Sequence, residues 1–116
     1  VLTPITDHDA SDNVGSNILG TEANAFWKDH KAAKINSLRT NSFISRSDIL
    51  IVKFGDKYKQ WNAAFDAGIA TGLGIPIITL HSGDLTHPLK EIDASALAVT
   101  ETPSQVIEIL KYISQP

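Results

Sequence analysis

The sequence predicts an α/β fold built on an open parallel sheet with βαβ crossovers, of the flavodoxin- or Rossmann-like kind. Two short apolar runs, Ile49-Leu50-Ile51-Val52 and Ile75-Pro76-Ile77-Ile78-Thr79-Leu80, have the pattern of strands buried on both faces of a sheet. Between them Trp61, Ala64, Phe65, Gly68, Ile69 and Gly72 recur at helical spacing, so Trp61 to Leu73 is expected to be a helix. A strand, a helix and a second strand with short connections form a crossover, and the strands of a crossover run parallel. Ligands of such sheets bind beyond the carboxyl ends of the strands, which here means the loop after Phe54.

From the start of the chain, Val1 to Ile5 reads as the end of a strand interrupted by Pro4. The first residue is valine rather than methionine, so removal of an upstream segment is expected. Thr6 to Asn13 is polar and without apolar periodicity, and it reads as a loop. Asp7, His8, Asp9 and Asp12 give that loop oxygens and an imidazole for ligand contact. No metal site is expected, because no second cluster has ligand spacing.

Glu22 to Arg46 is helical in pattern, with a break expected near Lys28 to His30. Its apolar stripe is Ala32, Ala33, Ile35 and Leu38, and Lys28, His30, Lys31, Lys34 and Arg39 read as a solvated face. Gly55 to Gln60 is a polar loop. Gly74 suits the left-handed residue after a helix. Beyond Leu80, His81 to Asp84 reads as a turn, Pro88 to Asp93 as a short helix and Ala96 to Val99 as a third strand. Thr102, Pro103 and Gln105 mark a helix start with a capping box. That helix is expected to run to about Ile113 and to bury Val106, Ile107, Leu110 and Ile113.

A chain of 116 residues is long enough for one domain with a real core and too short for two. A net charge of -3 leaves no electrostatic footprint for a nucleic acid polymer or an anionic membrane. No apolar run approaches the roughly 20 residues that span a bilayer. There is no cysteine, which excludes disulfides, zinc–thiolate sites and a cysteine nucleophile, and fits a cytoplasmic protein.

Chemistry is concentrated at the start of the predicted helix after Phe54. Asn62 and Asp66 are four residues apart and therefore share a face. The helix start offers unpaired N–H groups and partial positive charge. Lys57 and Lys59 add charge in the preceding loop, and Tyr58 and Trp61 are flat enough to stack on a base. On spacing alone two readings stand. In one, these residues bind a phosphate and an aromatic ring beside a carboxylate nucleophile; in the other, Asp66 points to solvent and Trp61 fills the core.

Asp48 to Val52, Asn62 to Ala70 and Gly74 to Ile78 together resemble the nucleoside 2-deoxyribosyltransferases. More specifically, Pro4 to Asp12, Asp29 to Asn36 and Phe54 to Asn62 are similar to the YtoQ family, a deoxyribosyltransferase-like branch, and this resemblance covers nearly the whole chain. It implies an enzyme of the N-glycosidic bond of a nucleoside or nucleotide, working by deoxyribosyl transfer or hydrolysis without a cofactor. A nucleotide-binding module without catalysis is the alternative. In the transferases a Glu two residues before a Gly attacks the anomeric carbon, and Asp66 stands in that position before Gly68, one methylene shorter. Asp48 matches an acidic residue at the start of the preceding strand, and Asn62 matches a loop glycine near the sugar or phosphate. The implied site thus has Asp66 and Asp48 as catalytic residues, with Asp7, His8, Lys57, Tyr58, Trp61 and Asn62 around the substrate. Since related transferases complete their sites across subunits, a homodimer or larger homo-oligomer is also implied.

Overall fold

The computed structural model describes residues 1–21, 24–55 and 61–116. The chain divides into two compact units, residues 1–43 and residues 44–116.

The first unit is helical. α1 (His8–Leu19) begins where Asp7, in extended conformation, accepts a hydrogen bond from the Ala10 N–H at 3.1 Å. That is an N-cap, and Asp9 in the first turn complements the helix dipole. The stretch read as a polar loop is therefore a helix start. Asp7 satisfies a helix-end N–H, a role that apolar periodicity does not record. Val1 to Ile5 forms no strand.

α2 (Ala25–Ser45) runs unbroken through Lys28 to His30. Its inward stripe is Ala32, Ile35, Asn36 and Arg39, whereas Ala33 is exposed and Leu38 is 74% exposed. The polar members of that stripe close backbone carbonyls. Asn36 donates to the Ser11 carbonyl at 3.1 Å and Arg39 to that of Thr3 at 3.0 Å. The Lys31 ammonium donates to the Leu19 and Gly20 carbonyls, both at 3.3 Å, and so satisfies orphan acceptors at the end of α1. Lys31 and Arg39 are thus structural cations.

Gly15, on α1, lies tight against α2: a Cβ there would lie 2.6 Å from the Ala32 nitrogen and 2.7 Å from Lys31 Cβ.

The second unit holds a three-stranded parallel sheet in the order β1–β2–β3. Its strands are β1 (Leu50–Lys53), β2 (Ile77–Leu80) and β3 (Ala98–Thr100). The crossover between β1 and β2 contains α3 (Trp61–Gly72), and the one between β2 and β3 contains α4 (Lys90–Ser95) after a 3₁₀ turn at Gly83–Leu85. α5 (Pro103–Ile113) follows β3. Leu50 pairs with Ile77 and Lys53 with Leu80; Ile78 pairs with Ala98 and Leu80 with Thr100. Pro76 has no N–H to give the ladder, but its carbonyl accepts from Leu50 at 3.0 Å.

Alternation along the strands sends Val52, Ile77 and Phe54 into one core with Ala67 and Ala70 of α3 and with Ile44. Ile78 and Leu80 meet Val106 of α5 on the other face, with Ile49, Ala98, Ile109 and Leu110 around them. β2 is buried along its whole length, as its sequence predicts. β1 is not buried on both faces: it is a sheet edge among the described residues, and Ile51 is 41% exposed. In α5 the inward residues are Val106, Ile109 and Leu110, while Ile107 and Ile113 are each 52% exposed; the i, i+3, i+4 stripe begins one residue away from Ile107.

The punctuation is as the sequence suggests. Gly74 has φ +74°, the Ile75 N–H donates to the Ala70 carbonyl at 2.9 Å and Gly74 to that of Thr71 at 3.1 Å, closing α3 in a Schellman motif. At α5 the capping box of Thr102 and Gln105 is complete, with Pro103 at the first helical position.

Gly15→Ala is expected to destabilise the protein. The gain in helix propensity is about 1 kcal/mol, but the new methyl meets backbone atoms that cannot swing aside, and overpacking costs about 1–3 kcal/mol. A lower urea midpoint than wild type is the expected result; an unchanged or higher midpoint would show that α1 and α2 can separate without cost.

Candidate functional site

α3 carries the candidate carboxylate. Ala63, Ala64, Ala67 and Ala70 turn toward the sheet, and their small side chains let the helix lie close on Val52 and Ile77. At 100° per residue, Asp66 lies on one flank of that inward face, with Asn62 one turn before it. Asn62 is exposed and Asp66 half-buried. The opposite flank, with Ala64 and Thr71, borders α4.

Burial lifts the Asp66 carboxyl above its ordinary pKa, since desolvation disfavours the charged form. Among the described residues no hydrogen bond or ion pair offsets that effect. Among the described residues nothing neutralises this half-buried carboxylate, so its charged form is less favoured than that of an ordinary aspartate.

Trp61 is 73% exposed and so does not fill the core; it lies about 140° round the helix from Asp66. Asp48 is exposed, two residues before β1, at the amino end of the sheet. α3 ends beside the level of Leu50 and Ile77, through the short link to Pro76. Asp66 lies six residues, about 9 Å, above that end, and Asp48 two residues, about 7 Å, below it. Asp48 thus stands at the amino end of the sheet and Asp66 on the crossover helix. Asp7 and His8 lie at the start of α1, in the helical unit. Lys57 and Tyr58, like Lys59, fall outside the described residues.

A polar cluster that the sequence reading missed lies at the carboxyl end of β2. His81, 4% exposed, extends the ladder by donating its N–H to the Thr100 carbonyl at 3.0 Å. Its Nδ1 lies 2.6 Å from the Ser82 carbonyl and its Nε2 lies 2.7 Å from Asp93 Oδ2. A carbonyl only accepts, so Nδ1 carries a hydrogen, and the Asp93 carboxylate calls for a second one on Nε2. Burial alone would lower the pKa of His81, but the Ser82 carbonyl, the Asp93 hydrogen bond and the charges of Asp93 and Glu101 outweigh it and raise the value. Asp93 Oδ1 accepts from Thr79 Oγ1 at 2.8 Å, and Thr100 Oγ1 donates to the Thr79 carbonyl at 2.7 Å. With both ring nitrogens engaged, His81 is a clamp between β2 and α4 and has no free nitrogen with which to act as a base. The polar residues inside a buried strand, Thr79 and Thr100, were the available sequence signal, since each must find a partner.

Asp66→Asn follows directly from this geometry. A carboxyl whose folded pKa exceeds its unfolded value binds protons more tightly when folded, so its contribution to stability is lost as pH rises through that interval. At neutral pH the ionised Asp66 is therefore a cost that Asn removes. The variant should melt higher than wild type at pH 7, with the difference shrinking as pH falls through the carboxyl range. Equal or lower melting at pH 7 would mean that an unseen partner stabilises the charge.

The family model described as nucleoside 2-deoxyribosyltransferase YtoQ matches residues 1–114. The chain is 44% identical over 110 residues to a relative from Bacillus subtilis (strain 168), named as an uncharacterized protein YtoQ, in an alignment that covers 95% of this chain and 74% of the relative. Among the described residues no helix is long and apolar enough to cross a membrane.

Proposed function

The chain belongs to the nucleoside 2-deoxyribosyltransferase YtoQ family, and from that membership we propose that it cleaves or exchanges the N-glycosidic bond of a nucleoside or nucleotide with Asp66 as the nucleophile. The observation that carries this reading is the placement of Asp66, a half-buried carboxylate with no counter-ion among the described residues, two residues before Gly68 on the helix of a βαβ crossover. Poor solvation raises the energy of its ionised form, and forming a bond to an electrophilic carbon relieves that cost.

In the first step an Asp66 oxygen bonds to the anomeric carbon as the carbon–nitrogen bond breaks. The electron pair leaves with the base, which takes up a proton. The sugar is then held as an ester of the enzyme. In the second step an incoming base or a water attacks the same carbon, gives up a proton to solvent and frees the carboxylate, in the two-step manner of retaining glycosidases. In this reading Asn62, one turn before Asp66 on the same flank, donates to a sugar hydroxyl.

The test is turnover of deoxynucleosides and their monophosphates by wild type and two variants. Asp66→Asn keeps the shape and removes the charge, so kcat should fall by on the order of 10³-fold or more while the fold persists. Asp66→Glu moves the carboxylate by about 1 Å, a displacement that changes rates by on the order of 100-fold; the activity of a backbone set for aspartate should fall by about that factor. The wild-type rate should also fall in acid, with a midpoint above that of an ordinary aspartate. Undiminished turnover by Asp66→Asn would remove the nucleophile assignment. Binding without turnover in every form would leave a nucleotide-binding module.

A further inference from the structure

We propose that His81 is a proton-operated lock on the loop after β2: its imidazolium holds the Ser82 carbonyl, and the neutral ring, kept by Asp93, lets that carbonyl go. His81 stands at a junction. Its backbone N–H donates to the Thr100 carbonyl at 3.0 Å and fixes it to β3. Its Nδ1 lies 2.6 Å from the carbonyl of Ser82, the first loop residue, and its Nε2 lies 2.7 Å from Asp93 Oδ2 on α4. The side chain is 2% exposed, so water is no substitute for either partner.

Two acceptors flank one ring, and only its doubly protonated form has a hydrogen for each. A neutral ring has one hydrogen to give. A bond to a carboxylate is stronger than one to a carbonyl, so that hydrogen stays on Nε2 toward Asp93. The lone pair of Nδ1 then faces the Ser82 oxygen, and two buried acceptors so placed move apart. The charges that act on the ring are Asp93 on α4 and Glu101 just past β3. Lys90 and Glu91 on α4, and Asp84 and His87 in the connection before it, are exposed. Lys53 of β1 alternates away from Val52 and Phe54, onto the face where α5, with Glu108 and Lys111, packs. Asp66 of α3 is on the flank away from α4, and β3 has no titratable side chain.

What the Ser82 carbonyl holds is the start of a continuous path. It also accepts from the Leu85 N–H at 3.1 Å, the Leu85 carbonyl accepts from Leu89 at 3.0 Å, and that of Leu89 accepts from Asp93 at 2.8 Å. His81 bonds both ends of this path, Ser82 and Asp93, and so closes it on itself. The path begins at the carboxyl end of β2, the end at which ligands of parallel sheets bind. It ends in α4, one wall of a groove over Ile77 in which Ile92 and Ser95 face Gly68 and Thr71. The direction of the switch follows from linkage. Burial lowers the pKa of His81, but Ser82, Asp93 and Glu101 together raise it above the ordinary histidine value. The lock is therefore closed below that ordinary value and opens as pH rises through the folded one.

Ring-nitrogen NMR of isotopically labelled protein, followed with pH beside amide exchange, tests the proposal. At the pH where an ordinary histidine is half ionised, both ring nitrogens of wild-type His81 should still carry hydrogen. As pH rises further the ring should lose the Nδ1 hydrogen. Protection of the Leu85 amide, corrected for base-catalysed exchange, should then fall by up to about tenfold per pH unit. Asp93→Asn keeps the shape and reverses the tautomer: its oxygen still accepts from Thr79, and its amide donates to a bare Nε2, so the neutral ring keeps its hydrogen on Nδ1 for Ser82. That variant should titrate at lower pH than wild type, with Leu85 protection level across the interval in which the wild-type value falls. A wild-type ring with one hydrogen at the ordinary midpoint, or Leu85 protection that stays level while that ring titrates, overturns the lock without any variant. Loss of protection in Asp93→Asn to match wild type overturns it as well.

Discussion

β2 has strands on both edges and cover on both faces, and the rest of the second unit is arranged around that burial. Ile77 faces the alanines of α3 and Ile78 faces Val106 of α5. Every polar group on this strand must then be satisfied inside the protein, because a buried donor or acceptor left unpaired costs about 1–3 kcal/mol. The backbone is met by β1 and β3. The Thr79 hydroxyl is met by Asp93, whose second oxygen holds His81. The short helix α4 is fixed to the sheet by that pair rather than by its own six-residue length. The position of the groove between α3 and α4 follows from it.

α3 is consequently a helix with three environments. Its inward face is alanine because the approach to Ile77 is close. One flank borders α4 and is lined by small residues. The other carries Asn62 and Asp66, and there a carboxylate is held partly out of water with nothing among the described residues to neutralise it. Helices do not keep such a group for stability, since Asn in the same place would cost less at neutral pH. The proposed nucleophile and the unfavourable solvation are one feature seen from chemistry and from thermodynamics.

The sheet was legible because apolar runs, Gly74 and the Thr102 capping box each report local physics that tertiary packing reinforces. Less legible was α1: Asp7 and Asp9 look like loop residues until one of them caps a helix. The inward stripe of α2 was misread for a related reason, since Asn36 and Arg39 face inward to serve carbonyls and no periodicity of apolar residues records that. β1 read as doubly buried because Ile51 is apolar, but no strand among the described residues lies beyond it. Of the site, the shared flank of Asn62 and Asp66 followed from a four-residue spacing. The place of Asp48 at the amino end of the sheet did not, because it depends on where β1 begins.

The central claim is that Asp66 forms a bond to the anomeric carbon. It is tested most directly by incubating the protein with a 2-fluoro-2-deoxy nucleoside bearing an activated leaving group, then mapping the product by mass spectrometry. The fluorine slows both steps, and the leaving group restores only the first, so the glycosyl-enzyme should accumulate. The account predicts one added sugar, located on Asp66 and absent from Asp66→Asn. A sugar on another residue, or release of the base with Asp66 unmodified throughout turnover, would contradict it.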